Sequence, residues 1–77
     1  MAIRVKYFAS LRETIGRSTD ELMIPHTTTV QEVWKQATQG MQVPDRLLVA
    51  INQEYAKFDH DVHDGDEVAF FPPVTGG

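Results

Sequence analysis

Thr29-Val-Gln-Glu-Val-Trp-Lys-Gln-Ala-Thr-Gln-Gly40 carries the clearest helical periodicity in a chain otherwise patterned as short strands. Val30, Val33, Trp34 and Ala37 fall at i, i+3, i+4 and i+7, so they share one face of a helix. Thr29 and Glu32 have the spacing of a capping box, in which each side chain satisfies a backbone N–H at the helix start. Gly40 is a natural stop. This spacing predicts one amphipathic helix that buries Trp34 against a sheet.

Before the helix, Ile3, Val5 and Tyr7 alternate with Arg4, Lys6 and Phe8, the period of a half-buried strand. Ser10 to Gly16 reads as a polar loop or short helical turn ended by Gly16. Asp20 to Ile24 reads as a second strand, with Leu22 and Ile24 inward and Pro25 closing it. After the helix, Leu47 to Ile51 is apolar and rich in β-branched residues, as a central strand would be, and Asn52-Gln53 supplies a turn. Asp64-Gly65 supplies another turn. A final strand follows, with Val68 and Phe70 alternating with Glu67, Ala69 and Phe71 until Pro72 and Pro73 end it. The order is strand, strand, helix, strand, an ill-defined connection, strand. This predicts an α+β domain over residues 1–77, one helix on a mixed sheet, with residues 72–77 as a tail. A β-grasp fits this order, as do other small α+β folds.

Composition narrows the function. The 77 residues include no cysteine, so disulfides and cysteine metal sites do not support the fold. A chain this short has little room for a large active-site cavity. Seven Lys and Arg against eleven Asp and Glu give a net charge of −4, which opposes nucleic-acid binding. No apolar run is long enough to span a bilayer, and residues 1–5 lack signal-peptide character, so a cytoplasmic location is expected.

Two motifs compete for attention. Asp59 to Glu67 holds five carboxylates with His60 and His63, but an EF-hand loop starting at Asp59 would need Gly at Asp64 and Glu at Phe70. A solvated acidic turn is the better reading, and no metal is assigned. The other motif is the ending Pro72-Pro-Val-Thr-Gly-Gly77. Two prolines stiffen the exit from the sheet, and an extended Val74-Thr75-Gly76-Gly77 reaches roughly 13 Å. Two residues without Cβ suit passage through a narrow channel. Read alone, the Gly-Gly ending also fits a frayed terminus.

Three segments closely resemble the ubiquitin-like sulfur carriers that serve as small subunits of molybdopterin synthase. They are Val5-Lys-Tyr-Phe-Ala-Ser-Leu-Arg-Glu-Thr-Ile-Gly16, Val49-Ala-Ile-Asn-Gln-Glu-Tyr55 and Asp64-Gly-Asp-Glu-Val-Ala-Phe-Phe-Pro-Pro-Val-Thr-Gly-Gly77. The resemblance implies a ubiquitin-like β-grasp with a flexible Gly-Gly tail. It also implies that the Gly77 carboxylate is adenylated by an ATP-using, ubiquitin-activating-type adenylyltransferase and then converted to a thiocarboxylate. The tail, Pro72, Pro73, Val74, Thr75 and Gly76, would enter the large subunit of a heterotetramer, where the sulfur builds the dithiolene of molybdopterin. The carrier itself would bind no cofactor and perform no catalysis. Thiazole-synthesis carriers, protein modifiers and plain interaction domains are the alternatives.

The period-two pattern adds a docking surface. If Ile3, Val5, Tyr7, Val68 and Phe70 face the helix, Phe8 and Phe71 face away from it. Tyr55, just past the Asn52 turn, extends the patch, so Phe8, Tyr55 and Phe71 are expected to anchor the large subunit, with Arg12 as a polar contact at the rim.

Overall fold

The computed structural model describes residues 1–73. Seven strands and two helices follow in the order β1 (Ala2–Tyr7), α1 (Ser10–Ile15), β2 (Thr19–Met23), β3 (Thr28–Thr29), α2 (Val30–Thr38), β4 (Leu48–Ile51), β5 (Glu54–Ala56), β6 (Asp61–Val62) and β7 (Glu67–Phe71). The main sheet has the order β2-β1-β7-β4-β5, and β3 pairs with β6 beside it. The central pair β1–β7 is parallel; the pairs of β1 with β2, β4 with β5 and β4 with β7 are antiparallel. This is the ubiquitin-like β-grasp, a mixed sheet with one main helix on one face.

Helix α2 forms where its periodicity placed it. Thr29 Oγ1 accepts from the Glu32 N–H at 3.4 Å, and Val30, Val33, Trp34 and Ala37 are buried. The helix stops one residue before the expected glycine, because Gln39 already takes the left-handed conformation and Gly40 continues the turn at φ +85. Trp34 donates its indole N–H to the Met41 carbonyl at 2.8 Å, so burial leaves no donor unpaired. Across from the helix, Ile3, Val5, Tyr7, Val49, Ile51, Val68 and Phe70 complete one core.

Of the two readings the sequence left for residues 10–16, loop or short helical turn, the structure takes the second, and two further features were not read from the sequence. Ser10 to Ile15 is a true helical turn that buries Leu11, capped by Gly16 at φ 89. The ill-defined connection contains β5 and β6. Within the acidic run Val62 is fully buried, paired with Thr28, while Asp59, His60, Asp61, His63 and Asp64 are exposed around it. Two carboxylates there accept backbone N–H groups: Asp64 ties the loop to the start of β1 through the Ala2 N–H at 2.6 Å, and Asp66 closes the turn by accepting from the His63 N–H at 2.8 Å. The Asn52-Gln53 turn is as expected, a two-residue hairpin loop with both φ angles positive, at 50 and 71.

Candidate docking face and tail exit

Strand β7 positions everything that concerns the carboxyl-terminal end. Its inward residue Phe70 is the hub of an aromatic cluster, with Trp34 edge-on at 5.0 Å between centroids, Phe58 at 6.2 Å and Tyr7 stacked at 6.3 Å. The next residue, Phe71, therefore turns to the open face. Pro72 and Pro73 follow, both half-buried. The expected roles of Val74, Thr75, Gly76 and Gly77 lie outside the described residues.

On the open face the register brings apolar residues together. Phe71 pairs with Leu48, Ala69 with Ala50, and Ala50 in turn with Tyr55. The Tyr55 ring tilts over Phe71 with centroids 5.9 Å apart, which leaves Phe71 half-buried while Tyr55 is 79% exposed. Phe8 follows the last β1–β7 pair, Tyr7 with Phe70; its N–H donates to the Phe70 carbonyl at 3.1 Å, and its side chain is 47% exposed. Phe71 and Tyr55 thus meet on the open face, the latter brought there by the β4–β5 register, and Phe8 lies beside the same end of β7. Arg12 is exposed on α1, three residues beyond the strand-to-helix joint at Ala9. Leu48, Ala50 and Ala69 also belong to the patch. Ala69 shares the outward alternation of Phe71 on β7, whereas Leu48 and Ala50 escaped the sequence reading because they join the patch only through the β4–β7 register.

The other end of the face is polar. Lys6 Nζ lies 3.5 Å from Glu67, and Arg4 stands in register with both Glu21 and Glu67. The apolar half is therefore the half from which the tail leaves. A concavity of about 420 Å³ lies at the far end of β4, among Asn52, Glu54, His60, Asp61, His63 and Asp66. Tyr55 also lines it, so its rim adjoins the docking face, while the rest lies toward Ile51 and away from Leu48, the partner of Phe71. Among the described residues no group of three or more histidines and carboxylates could hold a metal ion. No helix there is long and apolar enough to cross a membrane.

Beneath Phe8 a polar clasp fixes the end of β1. The Tyr7 hydroxyl donates to Asp20 at 2.9 Å, Arg17 Nε donates to the same oxygen at 2.7 Å, and the Arg17 guanidinium also donates to the Ala37 carbonyl at 2.7 Å. Burial, reinforced by the Asp20 carboxylate, pushes the Tyr7 phenol far above its ordinary range. The hydrogen bond to Asp20 raises Arg17 in turn. Nothing in the pattern of the sequence signalled this network.

Comparison with known proteins agrees with this architecture. The chain is 40% identical to the molybdopterin synthase sulfur carrier subunit of Escherichia coli, over 97% of this chain and 99% of that one. The crystal structure of SAMP1 from Haloferax volcanii superposes with a TM-score of 0.80 at 29% identity, covering all of both chains. A chain from the complex of subunits 1 and 2 of molybdopterin-converting factor from Helicobacter pylori shares the fold, with a TM-score of 0.68, 18% identity and full coverage of both chains. The ThiS family model matches residues 5–77. With its fold, its apolar tail-exit face and that match over nearly its whole length, the chain belongs to the ThiS family.

Proposed function

We propose that this chain is the sulfur-carrying small subunit of molybdopterin synthase, working in the cytoplasm. The observation that carries the reading is the apolar half-face of Phe8, Leu48, Tyr55 and Phe71, which runs directly into Pro72 and Pro73. A partner seated on that face receives whatever follows Pro73. A small acidic domain gains nothing by exposing such a patch unless a partner covers it. The identity with the E. coli carrier subunit supports the same reading.

The chemistry belongs to Gly77. A carboxylate is a poor electrophile, so one oxygen first attacks the α-phosphorus of ATP on an adenylyltransferase and pyrophosphate leaves. Sulfide, as HS⁻, then attacks the acyl carbon and AMP departs, leaving the thiocarboxylate. The large subunit holds the pterin precursor and takes the sulfur; its partner status is supported by the two-subunit complex of the H. pylori neighbour. Gly76 lets the backbone pass the channel to that site. On this reading the nucleotide is bound only as the adenylate, and the carrier supplies no catalytic side chain.

Reconstitution with the large subunit tests this. Chemically thiocarboxylated chain is expected to yield the dithiolene product, and a chain with one alanine added after Gly77 is expected to yield none. Product from the extended chain refutes the proposal. Mass spectrometry of the chain from its host gives a second check, since replacing oxygen by sulfur adds about 16 mass units while a protein modifier appears joined to its targets.

A further inference from the structure

We propose that Ala9 is a positioning residue whose strained backbone tempers the affinity of the docking face, an inference that rests on the function proposed above. Ala9 sits at φ 56 and ψ −137, a region that glycine enters freely and an L-residue with a Cβ enters only at a cost. The strain is held from both sides. Upstream, Tyr7 is buried and the Phe8 N–H is bonded to the Phe70 carbonyl. Downstream, Leu11 is buried, its N–H donates to the Phe8 carbonyl at 3.2 Å, and the Arg12 N–H donates to the Ala9 carbonyl at 3.1 Å. The chain must turn from strand to helix between two buried side chains four residues apart, and Ala9 absorbs the turn. No side chain caps the helix it starts.

The position of the strain gives it a consequence. Ala9 lies between Phe8 and Arg12, two of the residues proposed to meet a partner. Rotation of the Phe8–Ala9 peptide relieves the strain but breaks the Leu11-to-Phe8 bond that opens α1. The conformation that joins Phe8 to the first turn of α1, which carries Arg12, is thus the one the Ala9 backbone resists. Docking that requires this conformation is weakened by whatever fraction of molecules has left it.

Two variants of the full chain remove the strain in different ways. Ala9→Gly removes the Cβ but also loosens the unfolded chain. Replacement of Ala9 by D-alanine, made by chemical synthesis, keeps the unfolded chain as restricted, and inverting both angles gives ordinary extended values for that residue. Surface plasmon resonance against the purified molybdopterin synthase large subunit, with a melting curve for each chain, reads the outcome. The D-alanine chain is expected to melt higher and both chains to bind tighter, by up to about twofold, through faster apparent association. A higher melting temperature with unchanged or weaker binding makes Ala9 merely structural and overturns the proposal. A D-alanine chain that melts no higher overturns it as well, by showing no strain to relieve. If the unaltered chain does not bind the large subunit at all, the functional reading fails and this role falls with it.

Discussion

Truncation of Tyr55 tests the docking face most sharply. Docking gains most from surface that is still wet in the free protein, and by that measure the three aromatic residues are unequal. Tyr55 is 79% exposed and Phe8 47%, whereas Phe71 is already half covered by the Tyr55 ring. Fully burying a large apolar side chain is worth about 1.5–3 kcal/mol. With four-fifths of its surface left to bury, Tyr55→Ala should weaken binding by about 1–2 kcal/mol, or roughly 5- to 30-fold in Kd. Phe8→Ala should follow, and Phe71→Ala should cost least directly, although it also removes the platform beneath Tyr55. The double variant should show a coupling of about 0.5–1.5 kcal/mol, the usual worth of an aromatic pair. Isothermal titration with the large subunit measures all four chains, and melting curves guard against unfolding; Tyr55, on an edge strand and exposed, should leave the melting temperature nearly unchanged. A Tyr55→Ala chain that binds as well as the parent, or a Phe71→Ala chain that loses more than Tyr55→Ala at equal stability, refutes the argument from exposure.

Other expectations follow from the interior. Asp20→Ala leaves the buried Tyr7 hydroxyl without its acceptor and should cost about 1–2 kcal/mol, a fall in Tm of about 5–15 °C by calorimetry. Because the folded Tyr7 phenol holds its proton above the ordinary value of 10.0, the unfolded chain loses that proton first as pH rises. Its contribution is then fully present below pH 10 and declines above it, by up to about 1.4 kcal/mol per pH unit in denaturant titrations, and Tyr7→Phe should remove that decline. Leu11→Ala should cost about 2–4 kcal/mol, since Leu11 is the buried anchor of α1 and only the partly buried Ile15 packs beside it; a loss under about 0.5 kcal/mol would make α1 peripheral.

What was legible in the sequence was whatever periodicity governs. The 3.6-residue repeat from Val30 to Ala37 and the period of two in β1 and β7 are imposed by burial of a whole face, so they appear in the residues themselves. The same alternation placed Phe8 and Phe71 on the open face. The short elements were not legible, because three residues of β5 or two of β6 contain no period to detect. Val62 is the lone apolar residue in an acidic run, and only its pairing with Thr28 explains its burial. Leu11 and Ile15 have helical spacing, but one turn is too little to separate from a loop. Leu48 and Ala50 joined the patch through strand register, which a single sequence does not specify.

The central place of β7 also bears on how the protein is made. On the ribosome, the β1–β2 hairpin and the β4–β5 hairpin emerge first, yet they share no ladder until residues 67–71 slide between them. The nascent chain therefore remains two unconnected hairpins until the segment leading into Gly77 has itself emerged. The strand that closes the sheet also creates the apolar half-face. Under the proposed function, an activating enzyme that grips that face would be blind to incomplete or misfolded chains, and ATP would be spent only on carriers whose synthesis has succeeded.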